Sequence, residues 1–329
     1  MSSAPGAPDE SGVHPEIDLS KVRTVPFHGR ASRVSSEAFA KLPNPEGTFG
    51  DFLASLPDIL EAASFKAVAR GVARAVKDGR GVLWMLGGHT IKTGLAPLLI
   101  RMMERRAATV IAGNGSVAIH DYEVARWGVT SEDVEAGLGD GTFGMAEETG
   151  REMNEALATG ARKGMGFGEA LGRALSRRED LVAPHRSILL QAYLRGIPVD
   201  IHAAIGCEII HQHPTADGAS IGECSMRDFR RLAEALPSLD GGGAVLNLGS
   251  AVIMPEVFLK ALALARNVHD GKPRRFLAAD FDMIRHYRPG LNVVQRPTRS
   301  GGGEGYRITG HHEIMIPLLA WAVEEYLAG

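Results

Sequence analysis

The sequence predicts an α/β protein built on a doubly wound, mostly parallel sheet, with a helical N-terminal cap and a helical insertion. Three observations carry that prediction. Short apolar runs of strand length recur along the chain, as at residues 82–86, 108–112 and 244–248. Each of these runs is followed by glycine, at Gly87, Gly113 and Gly249, where a tight turn is expected. Helical periodicity then takes over, and strands alternating with helices favour parallel pairing through crossovers.

Taken in order, residues 1–20 are rich in Ser, Ala, Pro and Gly and are expected to form a mobile tail. Residues 21–80 are expected to hold cap helices, because Phe52, Leu53, Leu56, Ile59 and Leu60, then Phe65, Val68, Val72 and Val76, recur at helical spacing. The main domain, Rossmann-like, is placed at residues 81–329. Its first unit is the strand 82–86, the Gly87-Gly88 turn and a helix marked by Leu95, Leu98, Leu99 and Met102. A second unit follows: strand 108–112, the turn Gly113-Asn114-Gly115, and a helix through residues 117–127. Residues 130–181, poor in β-branched runs, read as two or three inserted helices forming a lid or an interface. Ser187 suits the N-cap of the next helix and Gly196 its C′ position, leading to a strand at 197–201. Further strands are expected at 244–248, 276–281 and 292–295, and helices at 226–236, at 255–266 with Pro255 at N1, and up to Tyr326.

Composition narrows the function classes. The chain has 329 residues, 44% hydrophobic and 23% charged, enough to bury a large core. A net charge of -3 gives no general basic field for nucleic acid, and no apolar run approaches the roughly 18 residues of a membrane span. Two cysteines and no N-terminal apolar segment suit a reducing cytoplasm. The chemistry-bearing residues concentrate in two places. One is the segment from Ile201 to Gly222, with His202, Cys207, Glu208, His211, His213 and Asp217; its spacing matches no standard zinc motif, and Cys207 among isoleucines equally reads as a small core residue. The other is Gly310-His311-His312-Glu313, where adjacent histidines cannot both face one site. The glycine turns offer backbone N–H groups and a helix's positive end to an anion, or serve only as tight βα turns.

The order of WMLGGHTIKTG, TVIAGNGSVAIHDYEVARWG, SILLQAYLRGIPV, the Asp217–Gly222 segment and VLNLGSAVIMPEVFLKAL, then a glycine-rich stretch, resembles the deoxyhypusine synthase family from about Val82 to the C-terminus. The resemblance implies NAD as cofactor, a doubly wound fold and a homotetramer. It places Thr90 and Thr93 in the loop meeting the nicotinamide cofactor, and Gly113, Asn114, His120 and Asp121 in the second cofactor loop. Asp217 matches the family's ribose-contacting acid if residues 206–214 are an insertion; without a gap Gly206 falls there. With the other glycine-ended strands, the cofactor set becomes Gly88, Thr90, Thr93, Gly113, Asn114, Gly115, Asp121, Asp217, Gly249 and Ser250.

Departures from the family redirect the chemistry. No lysine occurs after Lys272, so the family's imine-forming lysine is missing and deoxyhypusine formation is not expected. The family's paired histidines align with Met254-Pro255, and its acidic polyamine-binding stretch with QRPTRSGGGEG, whose Arg296 and Arg299 suit a carboxylate or phosphate, or are ordinary solvated charges. Three readings stay open. The first is an NAD-binding enzyme acting on a small, anionic substrate, with His202, His211, His213 and His312 as catalytic candidates and Arg296, Arg299 and Glu313 contacting substrate. The second is a metal-assisted hydrolase or lyase built on the His/Cys/Glu cluster, although no metal set is assigned. The third is a non-catalytic dinucleotide-binding module.

Overall fold

A computed structural model describes residues 16–329. Most of the expected N-terminal tail, residues 1–15, lies outside the described part. The described residues up to Ala38 hold three short 3-10 turns and belong to one unit, and Phe39–Gly329 form the other.

The larger unit begins with α1 (Phe49–Ser55), started by a capping box in which Thr48 and Asp51 satisfy each other's amides, and α2 (Leu60–Lys77). Strand β1 (Val82–Leu86) leads through Gly87 into the short α3 (Gly88–Lys92) and then α4 (Ala96–Glu104). Strand β2 (Val110–Asn114) leads into α5 (Gly115–Trp127). The expected insertion is α6 (Val134–Asp140), α7 (Glu147–Arg162) and α8 (Phe167–Leu175). Next come α9 (Ile188–Arg195), capped by Ser187 and ended at Gly196 as expected, β3 (Val199–His202) and α10 (Gly218–Ala235). The last elements are β4 (Ala244–Leu248), α11 (Ile253–Val268), β5 (Leu277–Asp282), a π-helical turn Pro289–Gln295 running into α12 (Arg296–Gly301), β6 (Glu304–Thr309) and α13 (His312–Ala328).

All six strands are parallel, in the order β3-β2-β1-β4-β5-β6. This is an α/β, doubly wound sheet, and its order reverses between β1 and β4. In β1, Val82, Trp84 and Leu86 enter one apolar core with α2, α4, α5, α9 and α13, while Leu83 and Met85 enter the other with α10 and α11. Burial on both faces explains why the strand reads as an unbroken apolar run rather than an alternating one.

One expected strand is wrong. Residues 292–295 are part of the π-helical turn, where Asn292 donates to Glu256 Oε1 (2.9 Å), and the sixth strand is instead Glu304–Thr309. The segment is continuous with α12 in the helical crossover from β5 to β6, so its backbone is committed to helical bonds. Among the described residues no helix is long and apolar enough to cross a membrane.

Candidate functional site

The carboxyl ends of the strands bring together residues from every crossover. At the end of β2, α5 starts at Gly115, whose N–H donates to Glu208 Oε1 (3.1 Å) from the loop after β3. The same oxygen accepts from Ala204 N–H (2.8 Å), and Glu208 Oε2 lies 3.1 Å from His211 Nε2. Burial pushes the Glu208 carboxyl up to about 7, against the pull of its two backbone donors. The anion position at this helix start is thus filled by the protein's own acid.

Opposite Glu208 stands His120, one turn into α5. Its Nδ1 is 2.8 Å from Thr130 Oγ1, and the Thr130 hydroxyl donates to Glu123 (2.5 Å), whose other oxygen accepts from Thr149 (3.1 Å). A hydroxyl has one hydrogen. Because Thr130 gives it to Glu123, its oxygen accepts from Nδ1–H, and His120 Nε2 is left as a lone pair. Burial, with lesser repulsion from Lys92 and His89, lowers the imidazole below its ordinary value and keeps it neutral at pH 7. A cavity of about 230 Å³ opens between these groups, lined by Lys92, Ser116, His120, Cys207 and Glu208 and closed on one side by Ser131, Glu132, Val134 and Phe143 from the insertion. His120 is placed by family likeness alone, and Glu123 and Thr130 carry no expectation from the sequence. The available signal was spacing: His120 and Glu123 are three apart on one helix face.

The second grouping sits where the strand order reverses. Gly87 N–H donates to Leu248 O (2.9 Å) and Gly249 N–H to Phe281 O (3.0 Å), so the ends of β1, β4 and β5 are tied together. A Cβ on Gly87 would collide with the Gly249 carbonyl, and one on Gly249, whose φ is +69°, would strike the His312 ring. His312, 1% exposed, lies with Nε2 3.2 Å from Phe281 O; that contact makes Nε2 the donor and leaves the buried Nδ1 without a partner. The His89 ring is 5.6 Å away. Asn247 donates to Asp280 (2.9 Å) and to Ser250 O (3.0 Å), and Ser250 Oγ accepts from Met254 N–H (3.2 Å).

Several expected site residues are committed elsewhere. Asp121 is fully buried and accepts from Ser187 Oγ (2.6 Å), Ile188 N–H (2.7 Å) and Leu189 N–H (3.1 Å), so it caps α9 rather than meeting a ligand. Thr90 and Thr93 turn their hydroxyls back to Gly87 O (2.7 Å) and His89 O (2.8 Å). Val117 occupies the space a Gly113 side chain would take, and Asn114 accepts from Ser116 (2.8 Å). Asp217 is exposed and caps α10, while Gly206 donates to His211 Nδ1 (3.1 Å). His213 faces the insertion, with Nε2 3.1 Å from Glu147 and Nδ1 2.8 Å from Thr215. His202 is buried at the end of β3 and pushed down to about 4, so it stays neutral. Glu313 is exposed on the first turn of α13, near His311.

Arg296 and Arg299 lie on α12, which leads into β6, and Gly303 packs on Phe276, just before β5 begins. They therefore stand at the amino edge of the sheet, opposite the histidines, and Arg296 is engaged with Asn292 (2.8 Å). Among the described residues no group of three or more His, Cys, Asp or Glu side chains is arranged to hold a metal ion.

No protein-family profile matches the sequence, and no curated protein is similar enough to mark a relative. Solved structures do share the fold. ArgZ, an arginine dihydrolase from the ornithine–ammonia cycle in Cyanobacteria, is 14% identical with a TM-score of 0.50 over 82% of this chain and 34% of its own. AgrE, in its ternary complex with ornithine and NAD+, is 13% identical with a TM-score of 0.50 over the same shares. This chain thus covers about a third of the length of those proteins. A candidate deoxyhypusine synthase from Entamoeba histolytica is 8% identical, with a TM-score of 0.48 over 86% of this chain and 95% of that one.

Proposed function

We propose that this chain is a Rossmann-like enzyme of deoxyhypusine synthase type that binds a nicotinamide dinucleotide where the strand order reverses and acts on a small substrate in the cavity beside His120. The place where the strand order reverses supports the cofactor part, since β1 and β4 end side by side there, with α3 starting at Gly88 and Ser250 following Gly249. Gly88, Gly249 and Ser250 would hold the dinucleotide; Gly115 would not, because Glu208 has taken its amide. The likeness to AgrE, whose complex contains NAD+, agrees with this reading. The homotetramer implied by the family resemblance belongs to the same proposal.

The single observation that carries the catalytic part is the pairing of an oriented base with a neutral-range acid across one cavity. His120 Nε2 takes a proton from a substrate hydroxyl or ammonium while Nδ1–H stays on Thr130, and Glu123 behind Thr130 stabilises the resulting imidazolium. Glu208, which holds its proton up to about pH 7, can face the substrate as a neutral hydrogen-bonding acid and so adds no second negative charge to the cavity. The cofactor, when bound, supplies a hydride acceptor. With no lysine after Lys272, transfer of an aminobutyl group to protein lysine is not the reaction.

Calorimetry with NAD+ and NADH is the test of the cofactor. At about ten times its Kd, a nucleotide specific for the folded chain stabilises it by about 1.4 kcal/mol. His120→Gln should bind the nucleotide as the wild type does and lose about 10²–10⁴-fold in NADH formation across a panel of small amines and hydroxy acids. Binding without turnover of any candidate would favour the non-catalytic module, and no binding of either nucleotide would remove the cofactor reading.

A further inference from the structure

A larger cavity, about 530 Å³, lies away from the carboxyl edge, where the start of β3 meets α8 and the ends of α9 and α10. Tyr193, Ile197 and Pro198 give it an apolar wall. Its floor includes Asp200, which is 1% exposed and whose Oδ2 has no hydrogen-bond partner. The neighbouring acid, Asp228 on α10, ties elements together, since its Oδ2 accepts from Gly168 N–H (3.1 Å) at the start of α8 and from Ile201 N–H (2.8 Å) on the outer edge of β3. Asp200 makes no such tie, and the other oxygen of Asp228, Oδ1, is likewise buried without a partner. On the rim, Arg231 is already paired with Glu169 (2.6 Å), and Glu234 adds a further negative charge.

We propose that this cleft binds a primary ammonium ligand with a compact apolar body, the ammonium donating to Asp200 and the body lying against Tyr193, Ile197 and Pro198. The chemistry selects this class. Among the described residues no backbone N–H serves the Asp200 carboxyl, so its ionised form needs donors from a ligand, and an ammonium brings three. An anion entering here would meet Asp200, Glu169 and Glu234 with the rim's arginine already engaged, while a neutral apolar molecule would leave the buried carboxyl unsatisfied.

Ligand entry is coupled to a proton. Burial and the adjacent Asp228 hold the Asp200 carboxyl well above the ordinary carboxylate range, so the free protein keeps it protonated. Binding converts Asp200–COOH and R–NH3+ into a carboxylate–ammonium pair and releases one H+ to solvent. The charged and titratable groups around it are Asp228, Arg231 and Glu234 on α10, Glu169 on α8 and Tyr193 on α9. While Asp200 is protonated in the free protein and ionised in the complex, affinity rises by about tenfold per pH unit.

The test uses phenethylammonium as probe on the full chain, by calorimetry at pH 6, 7 and 8 without dinucleotide. Binding is expected, tightening with pH and releasing protons detectable as a buffer-dependent heat; the anion 3-phenylpropionate should not bind. Asp200→Asn should weaken the ammonium at least about tenfold and abolish its pH dependence. Should that variant fail to fold, Tyr193→Ala, at a half-buried position, should also weaken binding by about tenfold. The proposal is overturned if the ammonium does not bind, if the anion binds equally well, or if either folded variant keeps wild-type affinity.

Discussion

At the scale of single residues, the site depends on what burial does to each titratable group. Glu208 is the clearest case, because its carboxyl moves from 4.5 to about 7 on folding. An acid with a raised folded value binds its proton more tightly when folded, so the associated stability is fully present below pH 4.5 and is lost as pH rises through about 7. The shift corresponds to about 3 kcal/mol. Glu208→Gln removes this titration, so its stability relative to wild type should improve by up to that amount between pH 5 and pH 8 in urea unfolding. A difference that stays flat with pH would mean that Glu208 ionises freely, and its role as a neutral hydrogen-bonding acid would fall. His202 works in the other direction: pushed down to about 4 from 6.5, it contributes stability above pH 6.5 that is lost as pH falls toward 4.

At the scale of elements, the glycine-ended strands divide into two kinds. Gly87 and Gly249 hold two backbones in contact at the reversal of strand order, whereas Gly113 makes room for Val117 of the following helix. A branched side chain at Gly113 would begin 2.9 Å from a Val117 methyl, so Gly113→Val is expected to cost the fold on the order of 1–3 kcal/mol rather than selectively removing a ligand. Gly87→Ala should cost more, because backbone at Gly249 cannot move aside as a rotamer can. Gly218→Ala, with nothing within 4 Å, is the control and should be close to neutral. Thermal unfolding of the three variants decides it: a Gly113→Val protein that unfolds like wild type yet loses NAD+ binding would restore that glycine to the cofactor site.

At the scale of the whole molecule, the decisive fact is which edge of the sheet a segment occupies. In a parallel sheet the residues after a strand lie at the carboxyl edge and those before the next strand at the amino edge. Alignment with the family's polyamine-binding stretch put Arg296 and Arg299 among the substrate ligands. Their place on α12, in the return from β5 to the start of β6, puts them on the far side. The double variant Arg296→Ala, Arg299→Ala should therefore change NAD+ affinity by less than about twofold at physiological salt, where charges separated by more than about 8 Å are largely screened. A larger loss in calorimetry would mean that α12 reaches the cofactor after all.

What the sequence determined by itself was local: apolar runs buried on both faces, glycines where strands end, and Ser187 and Gly196 bounding α9. Each depends on neighbours a few residues away, so periodicity and turn chemistry reveal it. Tertiary structure decided the rest, because it joined residues far apart in the chain. Glu208 reaches Gly115 across 93 positions and Asp121 caps a helix 66 residues later, and both commitments withdraw a polar group from the ligand. His312 meets Gly249 only because β4 and β5 lie side by side with β6 beyond them. A buried donor or acceptor takes whichever partner the folded chain brings within reach, and that choice is not written in the spacing of the residues.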